Sequence, residues 1–336
     1  MDIRAPLYDD HADNSSNTVV QWAEISTISK IPTNHNGKMM VSIKDIIRPI
    51  LLKMHISSHS MELASESRFT GLVLFHRYVR HFNQILLQEQ QQNDVYQITN
   101  HLGKVAAACL FLGCKMEEEP RRIRDVINSS HVLNFCSSPV DNDATKTTTS
   151  DIKNEELQNI PTIIESLHPP PLDEQYWKDK EEMVSIEQHV LRMIRYNTSV
   201  CHPYRCILII METLGFGVEK KDTTSSSSDT KWLLTPQQSD NLILRSFRIL
   251  NELALDPSGS SLRYPVLVLS CAAIVLASSW TEIVRGVHCK EDKDDNEETV
   301  VLPNDWWRAL DVSTSDIDMA RTSIQKLLGS APVGDN

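Results

Sequence analysis

No long basic stripe runs through this sequence. Its 33 lysines and arginines are outnumbered by 45 aspartates and glutamates, for a formal net charge of −12, which argues against non-specific nucleic-acid binding. The densest basic cluster, Arg121-Arg-Ile-Arg124, is too short to make a phosphate track. Membrane-length apolar segments are not read either: Val105 to Cys114 has no charged side chain, but it falls far short of the roughly 20 residues a spanning helix needs. There is no GxGxxG or GxxxxGK[ST] run to cradle a nucleotide and no set of kinase signatures, so no cofactor and no catalytic group are expected. The seven cysteines are scattered, most of them inside apolar patterns (Cys109, Cys114, Cys206, Cys271), which reads as reduced core cysteine. Cys201-His-Pro-Tyr-Arg-Cys206 lacks the second ligand pair of a zinc site. His202-Pro203 looks instead like the entry to a helix, and no metal is expected. No secretory signal pattern is visible, which points to a cytoplasmic or nuclear chain.

Period-two alternation is also missing over any useful length, whereas helical spacing is common. The expected fold class is all-α. Polar or acidic segments interrupt the helices: residues 1–37, an insert near 137–173, a linker over 217–232 and an acidic loop near 290–300. The most informative stretch runs from Leu102 to Asn128. Ala106, Ala107, Ala108, Cys109 and Gly113 keep its first part thin, so neighbouring helices can approach from every side. It then stops at Lys115, a cation suited to the exposed carbonyls of a helix end. Glu117 to Glu119 are expected to favour the start of the following helix through its dipole, and Asp125 to face Arg121 across one turn.

The thin helix has an echo. Ala107 to Cys114 matches Cys271 to Ser278 in the placement of small residues, and each is preceded by an amphipathic segment, from Val73 and from Leu242. Each is also followed by an apolar stripe: Ile186, Val190, Leu191 and Ile194 in one case; Ile317, Met319, Ala320, Ile324, Leu327 and Leu328 in the other. Val41 to Met54 opens the first unit despite Pro49. Two similar bundles of about five helices follow from this repeat, the rival being that any two alanine-rich core helices look alike. Of the adjacent Trp306 and Trp307, one ring is expected to enter the second bundle while the other covers its edge.

EEEPRRIRDVIN from Glu117, EQHVLRMIRY from Glu187 and HPYRCILIIMETLG from His202 together resemble the first box of the transcription-associated cyclins, especially the L type. RYPVLVLSCAAIVLASSW from Arg263 and NDWWRALDVSTSDIDMARTSI from Asn304 resemble the second box. The resemblance implies two tandem five-helix cyclin boxes, the first over 38–216 and the second over 233–330. It also implies a regulatory subunit that binds and activates a cyclin-dependent protein kinase in the nucleus, with the cytoplasm as a second location, in transcription or RNA-processing control. Transcription or splicing machinery would be a further partner. Its motif positions assign kinase binding to Lys115 and Glu187; Phe111, a large ring that must fill a gap beside a small-residue helix, and Tyr196, which closes the Glu187 helix with a polar tip, are secondary candidates. Without the resemblance, Lys115 and Glu187 are surface charges satisfying helix ends, and Phe111 and Tyr196 fit ordinary core duty. The competing functional class is a general-transcription-factor-like helical adaptor that binds DNA or polymerase, for which a basic face and a metal ribbon would be expected; an adaptor that binds peptides without activating anything is the third possibility.

Overall fold

The computed structural model describes residues 30–32, 40–89, 95–135, 172–214, 234, 236–259, 263–278, 302 and 305–329. They are helical apart from one small antiparallel pair, β1 (Lys30–Pro32) and β2 (Met40–Ser42), in which Ile31 lies opposite Val41. Part of the segment read as a tail over 1–37 is therefore a strand. The rest of that segment, the linker over 217–232, the acidic loop and all but the end of the 137–173 insert lie outside the described residues.

The chain forms two compact units, one of them Ala23–Ser199, the other including Val200–Asn336. Among the described residues of the first, five helices follow the strand pair: α1 (Ile43–Ser60), α2 (Ser65–Glu89), α3 (Val95–Met116), α4 (Ile123–Phe135) and α5 (Glu174–Met193). α1 runs through Pro49 and on past Met54, where the sequence pattern ended it. α5 begins well before Met183, because the Asp173 carboxylate accepts the Tyr176 N–H at 3.0 Å and caps the new start. It also ends sooner, at Met193: Arg195 and Tyr196 both adopt the left-handed region, with φ of 53° and 58°.

α3 packs against α1, α2, α4 and α5. Every residue from Val105 to Cys114 is buried, as expected of a rod surrounded by other helices. Its thinness has a definite use at Gly113. A β-carbon there would stand 2.5 Å from the Ser67 carbonyl oxygen and 2.8 Å from the Gly71 nitrogen; α2 and α3 thus meet backbone to backbone. Gly71 completes the crossing, since its own β-carbon would meet Leu110 at 2.9 Å. At the end of the unit Arg77, buried on α2, donates to the carbonyls of Asn197 (2.8 Å) and Ser199 (3.1 Å).

The second unit contains α6 (Pro203–Thr213), α7 (Pro236–Ala254), α8 (Val266–Ser278), a 3-10 turn over Trp306–Leu310 and α9 (Thr314–Gly329). His202 and Pro203 start α6 as its N-cap and first helical residue. This helix falls within the 38–216 span expected of the first box, but it packs on α7 and α8. Tyr204 is the anchor, donating to Asn251 Oδ1 at 2.7 Å and meeting the Phe247 ring edge-on at 5.1 Å. α8 is central, touching α6, α7 and α9. Trp306 is buried and Trp307 half-buried, one ring inside and one at the edge. Met319 departs from the expected stripe: Ile317, Ala320 and Ile324 lie on the buried side of α9, but Met319 is 54% exposed, about 100° around the helix from Ala320. No described helix is long and apolar enough to cross a membrane.

Candidate functional site

The buried run of α3 ends at a cation that reaches water. Lys115 lies in the last turn, with its side chain 43% exposed. Its ammonium is 4.1 Å above the centroid of the Phe111 ring, one turn back on the same helix, and 2.5 Å from Oε1 of Glu187 on α5. Glu187 is largely covered, at 13% exposure, and Phe111 is buried. Three of the four site residues expected from the sequence are thus assembled on one rim. Tyr196 is not part of this contact: it lies beyond the end of α5, 67% exposed, with its N–H bonded to the Leu191 carbonyl at 2.8 Å. A half-exposed ion pair adds at most about 1 kcal/mol to stability, so the geometry fixes position more than it holds the fold.

The same α3–α5 seam carries contacts that no local spacing announces. Lys104 reaches Glu182 at 2.6 Å. The hydroxyl of Tyr78, a fully buried residue of α2, lies 2.7 Å from Nε2 of His101 on α3 and 3.2 Å from Nε2 of His189 on α5. Phe82 stacks on Tyr78 at 5.9 Å and lies 5.5 Å from the His101 ring. Burial, His189 and Lys104 all lower the His101 pKa, with Glu182 opposing. Burial pushes the Tyr78 phenol well above its ordinary range. These residues come together from positions as much as 111 apart in sequence; only the packing of three helices unites them.

Below the rim, the acids following Lys115 serve a different helix from the one expected. Glu117 accepts the Thr70 hydroxyl at 2.7 Å, and Glu119 accepts the Ala64 N–H at 3.0 Å, so both bind the first turns of α2. Arg121 pairs with Glu119 at 2.8 Å and donates to the Glu62 carbonyl at 3.0 Å. The expected Arg121–Asp125 pair does not form because α4 begins only at Ile123, leaving Arg121 ahead of the helix and not one turn from Asp125. Burial works to raise the Glu119 pKa, but the donors around it, among them the Ala64 N–H and Arg121, hold it below the usual value.

Among the described residues, the buried thiols are not poised as nucleophiles. Burial raises Cys109 and Cys271 far above the usual range and Cys114 to about 11, so they stay protonated at neutral pH. Cys206 is buried in the first turn of α6. Among the described residues, no group of three His, Cys, Asp or Glu side chains is placed to hold a metal ion.

The family model described as "Cyclin, N-terminal domain" matches residues 23–199, more than half of the chain, and its limits coincide with those of the first compact unit. The chain is 26% identical to "Cyclin L homolog cyl-1" of Caenorhabditis elegans over 77% of its length and 42% of that protein. It is 25% identical to Cyclin-L1 of Gallus gallus over 66% of this chain and 30% of the relative, and 29% identical to Cyclin-L1 of Homo sapiens over 46% and 22%. The chain spans less than half the length of these curated relatives.

Proposed function

The chain belongs to the cyclin family, similar in sequence to cyclins of the L type, and from that premise we propose that it is the regulatory subunit of a cyclin-dependent protein kinase. The observation that carries this reading is the Lys115–Glu187–Phe111 cluster. An ammonium already held by a carboxylate at 2.5 Å and an aromatic face at 4.1 Å has little conformational freedom left to lose when a partner docks. The kinase's regulatory helix would lie along this rim and be held inward, which favours the catalytically competent conformation without supplying a catalytic group. Tyr196, exposed beyond the end of α5, would contact the same partner at its margin.

The second unit supports a reading as a second cyclin box, with α6 as its opening helix and α8 in the place that α3 holds in the first. The likeness to L-type cyclins favours a kinase acting in transcription or RNA processing, and a nuclear site of action. Affinity purification of the full chain from its native cell is the test. A protein kinase is expected as a stoichiometric partner, and Lys115→Ala with Glu187→Ala should reduce its recovery about tenfold or more without loss of helical circular dichroism. Undiminished co-purification and kinase activation by the double variant would remove the rim from the mechanism. Repeated absence of any kinase would remove the activator role itself.

A further inference from the structure

A phenol hydroxyl carries one hydrogen, and Tyr78 places its hydroxyl within bonding distance of two imidazole nitrogens. It can donate to one; the other must donate to it. The shorter contact, 2.7 Å, is to His101, which is half-buried, while His189 is exposed to solvent. The acceptor is therefore assigned to His101 Nε2, with its ring proton on Nδ1, and the donor to His189 Nε2–H. In this arrangement His101 must be neutral, whereas His189 can donate whether neutral or charged.

A proton on His101 Nε2 breaks this accounting: Tyr78 must then accept from His101, and the hydrogen of its fully buried hydroxyl finds an acceptor only if His189 moves its own proton to Nδ1. While His189 keeps its Nε2 proton, all three groups are donors at the contact. The facing charges add to the cost. From α3 comes Lys104, the protonated Cys109 thiol beside Tyr78 being neutral, and from α5 come His189 and Glu182. Glu182 alone favours protonation, and Lys104 engages it at 2.6 Å. The His101 and His189 ring centroids are 6.2 Å apart, so two imidazolium rings would repel one another at short range.

We propose that the Tyr78–His101–His189 cluster is a pH-responsive latch, which ties α2, α3 and α5 together while His101 is neutral and loosens the α3–α5 seam when His101 takes up a proton. The Lys115–Glu187 rim lies on that seam. An effect on kinase docking rests on the function proposed above; the latch does not.

Hydrogen exchange of the full chain, corrected for the intrinsic pH dependence of exchange, tests the latch at about pH 7.5 and about pH 5.5. Protection of residues 98–104 and 183–190 should fall about tenfold more at the lower pH than that of α8, the internal reference. His101→Gln has an amide oxygen that accepts from Tyr78 and cannot charge, so its seam should stay protected at both values. Tyr78→Phe keeps the ring but removes the hydroxyl, and its seam should be loose at both. A seam that responds to pH no more than α8 in the unsubstituted chain, or the same response retained in His101→Gln or Tyr78→Phe, overturns the proposal. Binding of the co-purifying kinase, measured at the same two values, should weaken severalfold in the unsubstituted chain and not in His101→Gln. A seam that opens as described in a chain that binds no kinase at either pH overturns the docking reading and leaves the latch standing.

Discussion

α3 and α8 are built from the same small-residue pattern and lie at the centres of their units, yet they finish differently. Eleven of the thirteen residues of α8 are buried; it has no charged side chain, and the Ser278 hydroxyl turns back to the Val275 carbonyl at 2.8 Å. α3 is equally buried from Val105 to Cys114, but Lys115 then emerges onto a covered glutamate and a buried ring. A helix enclosed on all sides is a packing element. Function becomes possible where the enclosure stops and a charge is held in place at the edge. The position that matches Lys115 in the second copy is Ser279, outside the described residues, and it carries no charge.

Substitutions that separate packing from docking sharpen this comparison, and the largest effect should fall on α8. Ile274 is completely buried, and Ile274→Ala should cost about 4 kcal/mol by lost transfer energy and an unfilled cavity. A urea midpoint should report the loss, while the kinase association proposed for the Lys115 rim should stay intact below the transition. An unchanged midpoint would mean that α8 is not the enclosed counterpart of α3. Gly113→Ala comes next: the added carbon meets backbone atoms at 2.5 and 2.8 Å, so the helices must separate, at a cost of about 2–3 kcal/mol. Gly103→Ala is the contrast within the same helix. Nothing lies within 4 Å of its added carbon, and thermal melting should show a gain of about 0.5–1 kcal/mol. Equal effects at the two glycines would break the argument for close approach.

A pH prediction concerns the first unit. His55 is held at a pKa of about 4, mainly by burial and then by the neighbouring His59 and Arg68. Its ring meets that of His59 edge-on at 4.6 Å, and His59 Nε2 lies 2.8 Å from an Arg68 nitrogen. The unfolded chain takes up this proton near the ordinary value of 6.5, the folded chain only near 4. Between those values the unfolded state binds more protons. Stability is therefore full above about pH 6.5 and declines towards pH 4, by about 2 kcal/mol at pH 5. His55→Gln should remove that part of the decline when denaturant midpoints are compared at pH 7 and pH 5.

Much of the fold was legible because it depends on local pattern. Helical period, thin residues and the two copies of the Ala107–Cys114 motif were enough to identify the central helices. Pro203 announced a helix start, and the paired tryptophans divided between inside and edge as their angular separation requires. Less local features were misjudged. Met319 is apolar and one position from Ala320, yet Asp318 precedes it and it faces out of the buried stripe. Glu117 and Glu119 were assigned to the helix that follows them, whereas Thr70 and Ala64 claim them from α2. The Asp173 cap that starts α5 early and the left-handed residues that end it lie at the limits of the apolar stripe, where periodicity carries no signal. Of the candidate site, motif positions point to Lys115 and Glu187, and the gap that a large ring must fill in a small-residue helix points to Phe111; their mutual contact has no signal in the sequence.

By itself the sequence determined that the chain is helical, that two apolar small-residue rods must be enclosed by other helices, and that only one of them ends in a cation. These follow from side-chain volume and 3.6-residue periodicity, which act along the chain. Only the tertiary structure decided which groups meet: that Glu187 is the carboxylate facing Lys115, that Glu119 caps α2, and that Tyr78 shares its hydroxyl between two histidines. Hydrogen bonds and ion pairs act over about 3 Å, so partners remote in sequence meet only after burial of apolar faces has set where each helix lies.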